Sequence, residues 1–167
     1  MAGLAGAGAR EEPPMSTHDA TILWERGDQP FSDGKYSRAH LISFDGGVSI
    51  AGSSSPSVVR PPLSKVDAAD PEELLVAALS NCHMLWFLDL ARHAGFVVDR
   101  YEDKASGQMG KDERGKIALT RVTLNPQVAW SGAKTPTADD IAALHHEAHE
   151  RCFIANSFRG EVIIAGS

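Results

Sequence analysis

The spacing of apolar residues changes rhythm along the chain, and each rhythm predicts a different kind of element. From Ala20 to Ile50, short apolar runs are separated by the turn signals Asp33-Gly34 and Asp45-Gly46-Gly47. Strand-like stretches at Ala39 to Phe44 and Val48 to Ala51 fit a small antiparallel meander. Ser53 to Ala69, rich in Ser and Pro, reads as a loop. A helix apolar nearly all round follows, from Pro71 through Cys82 to about His93. Asp70 caps it, Pro71 stands at its first position, Glu72 and Glu73 sit where the dipole favours carboxylates, and Gly95 ends it. Alternation returns over Phe96 to Gly107 and Ile117 to Trp130, joined through the polar stretch Gly110 to Lys116 as a hairpin. Pro136 to Arg151 predicts a second helix capped by Thr137, and Glu161 to Ala165 a last strand. The order βββ-α-ββ-α-β is α+β. A helix apolar on every side must be covered on every side, so the pattern predicts a homodimer in which two copies of it pack together.

Length and composition narrow the class. A chain of 167 residues with 43% apolar residues can bury one core without staples. Residues 18–167 read as a single domain, and the Ala/Gly-rich stretch over residues 1–17 as a tail, with Met15 an alternative start. The tail has neither the basic start nor the apolar stretch of a secretory signal. The apolar run around Cys82, broken by Ser80, Asn81 and His83, reads as too short for a membrane span of roughly 20 residues. A net charge of −6 argues against nucleic acid and anionic membranes as partners. A cytoplasmic location is expected, and in that reducing compartment two cysteines point to catalysis or metal binding rather than a stable structural disulfide.

Cys82 and Cys152, each on its own element, suggest a redox pair. A thiol of ordinary pKa, about 8.5, is only a few per cent thiolate at neutral pH, so a reactive Cys82 needs a cation nearby. Its helical neighbours Ala78, Leu79, Leu85 and Trp86 are apolar, and His83 lies roughly 100° round the helix. The cation must come from another element, with Arg38 and Arg60 as the candidates. Glu72 is the carboxylate that would hold it, yet along a straight helix it stands about 15 Å and some 80° from Cys82. Meeting there needs a bend, a long reach or the partner subunit. A rival reading places a transition metal on His145, His149, Cys152 and His83, although no Cys-x-x-Cys or His-Glu-x-x-His is present. A third is a non-catalytic dimer holding a small apolar ligand.

Asp-Pro-Glu-Glu-Leu-Leu-Val-Ala-Ala-Leu-Ser-Asn-Cys, with Glu72 ten residues before Cys82, and Ala-His-Glu-Arg-Cys-Phe-Ile-Ala-Asn-Ser around Cys152 together resemble the OsmC/Ohr family of thiol-dependent peroxidases. The resemblance spans Asp19 to Ala165 and lies nearer the OsmC-like branch. It implies an OsmC-like fold, with antiparallel sheets around long central helices in an intertwined homodimer. It also implies a peroxidatic Cys82, a resolving Cys152, Glu72 and an arginine at the site, Arg38 favoured over Arg60, organic hydroperoxide as substrate, and a dithiol such as dihydrolipoamide as reductant, without cofactor or metal. Leu79, Met84, Trp86 and Phe87 would form an apolar wall favouring bulky hydroperoxides.

Overall fold

The computed structural model describes residues 16–166, so the expected tail over residues 1–17 lies outside the described residues apart from Ser16 and Thr17. Three strands, β1 (Ala20–Leu23), β2 (His40–Phe44) and β3 (Ser49–Gly52), form the expected antiparallel meander. Its register aligns Ile22, Ile42 and Ile50 on one face, where only Ile42 is buried. The loop after β3 returns to that strand: Ser53 donates its N–H to the Ala69 carbonyl at 3.0 Å, and Ala69 donates to Ala51 at 3.0 Å. This pairing delivers Asp70 to the start of α1 (Pro71–His93).

Both ends of α1 are built as the sequence predicts. Asp70 Oδ1 accepts the Glu73 N–H at 2.8 Å while Glu73 Oε2 accepts the Asp70 N–H at 3.0 Å, a reciprocal capping box. At the other end Gly95 adopts φ +79° and donates to Arg92, while Phe96 donates to Ala91 and packs with it in the core. That is a Schellman stop, which needs glycine at the left-handed position. The buried face of α1 is one stripe at four-residue spacing, Leu79, His83, Phe87 and Ala91. Against the expectation of a run too short to span a membrane, the 23 residues of α1 are long and apolar enough to do so by length and composition. Its stripe is instead the spine of two protein clusters. Phe87 and Ala91 pack with Phe96, Leu144 and Ala148, and Leu79 packs with Val122 and Leu124.

The two long strands expected after α1 each break in two, giving β4 (Val97–Asp103), β5 (Ser106–Lys111), β6 (Ile117–Leu124) and β7 (Pro126–Ser131). The reason is a bend in the hairpin at Asp103 and Asn125. Asp103 Oδ1 accepts the Asn125 N–H at 2.6 Å and its Oδ2 accepts the Ser80 hydroxyl, while Pro126 has no N–H to continue the ladder. The halves therefore join different sheets, β4 with β7, and β5 and β6 with β8 (Glu161–Ile164). β8 runs parallel to β6, an exception to the otherwise antiparallel pairing. The fold is mixed α+β, as expected.

The second helix, α2 (Ala138–Arg151), begins at Thr137 with its own capping box to Asp140 and ends at Cys152. There the backbone turns extended and starts a short helix that the sequence reading lacks, α3 (Phe153–Ser157). Cys152 Sγ accepts the Ala155 N–H at 3.3 Å, taking the cap role that Ser, Thr, Asp or Asn usually fills.

Between α1 and α2 the buried His83 Nε2 and His145 Nδ1 share a 3.0 Å hydrogen bond. Burial lowers both imidazoles from 6.5 to about 4, so each is neutral in the folded chain. For His83 the neighbouring His145 and His149 add to the lowering; for His145 the Asp103 carboxylate partly offsets it. Between pH 6.5 and about 4 the unfolded chain therefore binds more protons than the folded one, and stability falls as pH falls. The contribution is complete above 6.5 and lost as pH descends to about 4. The thermal midpoint should drop by roughly 5 °C or more across this window, and by less in His145→Asn. A midpoint that stays flat down to about pH 4 would contradict this.

Candidate functional site

Cys82 lies one residue before the buried His83, so it stands at the edge of the α1 stripe and is half-buried. Cys152, at the junction of α2 and α3, is fully buried. The packing of α1 against α2 and α3 makes the two thiols neighbours, close enough for Cys82 to act on the Cys152 proton. They differ in what surrounds them. Burial, then the Cys82 thiol, push the Cys152 pKa up to about 11, with the Ala155 and Ile154 N–H groups opposing. Cys152 is therefore a protonated thiol at neutral pH, shielded from solvent behind Cys82.

Cys82 opens on a cavity of about 380 Å³ that it lines together with Leu85, Trp86, Asp89 and Phe153. Trp86 meets Phe153 edge to face at 5.7 Å, and the Arg151 guanidinium lies 5.7 Å from the Trp86 ring centroid. Arg151 is held by Glu147 at 2.7 Å, one helical turn earlier. The sequence reading did not single out Phe153, Asp89 or Arg151. The one signal for Arg151 was its place beside Cys152, four residues after Glu147 on a helix. The expected apolar wall divides: Trp86 lines this cavity, Met84 faces the larger one described next, and Leu79 and Phe87 are core.

Glu72 stands apart from the thiols. It lines a cavity of about 740 Å³ together with Asp70, Glu73, Val76, Met84 and Asp103, and among the described residues it makes no ion pair. Among the described residues no lysine or arginine lines that acidic cavity. Arg38 lies on the loop before β2, with its guanidinium 3.9 Å over the Tyr36 ring and Nη1 donating to the Gly34 carbonyl at 2.9 Å and to the Tyr36 carbonyl. Arg60 is exposed, and Leu63 ties both arginines to one seam: it donates to the Arg60 carbonyl at 3.2 Å and accepts from the Arg38 N–H at 2.7 Å. Within one chain, then, the cysteines are brought together, whereas Glu72 and the arginines are not brought to them.

The histidines expected as metal ligands are also placed. His83 and His145 bond to each other, and among the described residues no group of three or more His, Cys, Asp or Glu is arranged to hold a metal ion. A zinc site needs four ligands, and two imidazoles spending ring nitrogens on one another do not supply them.

Comparison with known proteins bears on the family and the fold. The family model described as OsmC-like protein matches residues 64–165. An OsmC-like protein of unknown function from Vibrio cholerae is 49% identical, with a TM-score of 0.88 over 90% of this chain and 98% of that one. Two more distant structures share the fold. An organic hydroperoxide resistance protein from Elizabethkingia anophelis has 20% identity and a TM-score of 0.64, covering 90% of this chain and 93% of its own. The organic hydroperoxide resistance protein OhrB of Bacillus subtilis has 21% identity and a TM-score of 0.59, covering 89% and 95%. No match was found among curated proteins. The matched segment carries both cysteines and both helices that hold them, and this chain belongs to the OsmC-like protein family.

Proposed function

We propose that this protein is a cytoplasmic thiol-dependent peroxidase that reduces organic hydroperoxides through a two-cysteine cycle. The observation that carries the reading is the contact between a half-buried Cys82 and a fully buried, protonated Cys152. Two distant fold relatives are organic hydroperoxide resistance proteins, which supports the substrate class. In the first step the Cys82 thiolate attacks the O–O bond, taking one oxygen to become a sulfenic acid while the alkoxide leaves and is protonated to the alcohol. In the second the Cys152 sulfur attacks the sulfenic sulfur. The disulfide forms, and the Cys152 proton leaves with the hydroxyl as water. A dithiol such as dihydrolipoamide then reduces the disulfide by exchange and is itself oxidised to the cyclic disulfide. Burial suits Cys152 to the second role, because a thiol kept protonated and away from solvent does not compete for peroxide.

The working unit in this reading is a homodimer. The isoleucine face of the meander leaves Ile22 60% exposed, and on α1 Leu85 is 58% exposed. Apolar surface of this extent on separate elements calls for a partner, and a second copy offers matching faces. Among the described residues no cation of its own chain lines the acidic cavity holding Glu72, so Arg38 of a second copy is the proposed source of the activating charge.

Three outcomes test this. In solution the protein should have the mass of a dimer by light scattering; a stable monomer would remove the interface on which the arginine assignment depends. At about pH 8 iodoacetamide should alkylate Cys82 well before Cys152, and labelling in the reverse order would contradict the assigned roles. With dithiol in excess, cumene hydroperoxide consumption should fall roughly a hundredfold or more in Cys82→Ser. Arg38→Ala should slow it about tenfold, with Arg60→Ala near wild type. Consumption that survives loss of Cys82 would contradict its assigned role, and no consumption by the wild-type protein would leave a non-catalytic or metal-binding dimer as the alternative.

A further inference from the structure

The hydrogen bond between His83 and His145 stands at an informative place. His83 directly follows Cys82 on α1, and His145 precedes Cys152 by seven residues on α2. Seven residues are two helical turns, about 10 Å along the axis. At the far end of that span the Cys152 N–H is held by the His149 carbonyl at 3.1 Å, a tightened last turn that ties the capping cysteine to the end of the helix. A constraint applied at His145 is thus carried by a rigid rod to Cys152, while its other half is applied one residue from Cys82.

Apolar packing alone does not supply that constraint. His145 also stacks on Phe87 with centroids 4.3 Å apart and an interplanar angle of 27°, a contact that sets the spacing of the helices. Stacked rings and aliphatic contacts tolerate sliding and rotation, because hydrophobic attraction is non-directional. A 3.0 Å bond between two ring nitrogens, with exposures of 1% and 4%, is directional, and losing it leaves buried polar atoms unpaired. It therefore favours one register of α2 on α1 over its neighbours.

We propose that His83 and His145 are positioning residues for the thiol pair, their mutual hydrogen bond locking α2 on α1 in the register that sets Cys152 against Cys82. This rests on the reading of Cys82 and Cys152 as a redox pair. The imidazoles do not act on the thiols as cations, since both are neutral at working pH. They act through geometry, by raising the fraction of time in which the sulfurs can bond.

Diamide tests this without peroxide, because it oxidises neighbouring thiols directly: each sulfur gives up its proton and one electron to the reagent, which becomes the hydrazine as the disulfide forms. Two quantities are read, the rate at which the Cys82–Cys152 disulfide appears and its equilibrium against dithiothreitol redox buffers. His83→Leu and His145→Leu keep an apolar contact and remove the bond. Each should lower the rate and the disulfide equilibrium constant by roughly tenfold or more. Gln in place of His83 puts its amide where Nε2 lies, and Asn in place of His145 puts its amide where Nδ1 lies, so these variants should stay within about threefold of wild type.

Wild-type values for both quantities in the leucine variants would overturn the proposal. Should those variants not fold, His83→Gln is compared with His83→Asn, which is polar but too short to reach; equal values for the two would likewise overturn it. A wild-type protein that forms no disulfide with diamide would instead bring down the two-cysteine reading itself, and this proposal with it. The two failures are therefore distinct.

Discussion

The packing of α1 on α2 is the constraint from which the rest follows. A four-residue stripe of Leu79, His83, Phe87 and Ala91 commits one face of α1 to the protein, and everything beside that stripe inherits its position. Cys82, one step off the stripe, lands at the boundary between core and surface. Cys152, at the end of α2, lands inside. The same packing puts Trp86 and Phe153 together as two walls of the cavity in front of Cys82. One helix pair thus determines the contact of the sulfurs, their different exposures and the surface a substrate would meet.

Different exposure is what turns two similar thiols into two different reagents. Desolvation disfavours the thiolate, and Cys152 bears the larger share of it, so its proton is held to high pH. The Ala155 and Ile154 N–H groups at the start of α3 oppose the shift without overcoming it. In the proposed cycle Cys152 waits for a sulfenic acid and gains from this arrangement, because it is unreactive until its partner has changed. The unfinished part is the charge. Among the described residues Glu72 shares its cavity with three other carboxylates and no cation, while Arg38 is folded back over Tyr36 on the loop before β2. The proposed dimeric site would account for both facts, since the partner's loop could be delivered where the chain's own loop does not reach.

Much of this was legible in the residues. Asp70-Pro71-Glu72-Glu73 and Gly95 marked α1 because caps are local chemistry, and Thr137 with Asp140 marked α2 for the same reason. The break of each long strand was not legible. It depends on Asp103 meeting Asn125 and Ser80, groups more than twenty residues away along the chain. α3 was missed because a cysteine rarely caps a helix and no Gly or Pro separates it from α2. The thiol pairing came from the two motifs rather than from periodicity, and its geometry needed the tertiary packing. The histidines looked like metal ligands because side chains at His145 and His149 share a helix face; the structure instead spends His145 on His83 across the helix interface.

The central claim of the proposed cycle is that Cys82, once oxidised by peroxide, is captured by Cys152 in one covalent bond. The direct measurement is to mix reduced protein with one equivalent of cumene hydroperoxide, quench with an alkylating agent, and map the products by intact and peptide mass spectrometry. The account predicts a Cys82–Cys152 disulfide with one molecule of alcohol formed per bond. Two unmodified thiols, or a Cys82 driven to the sulfinic acid beside a free Cys152, would contradict it.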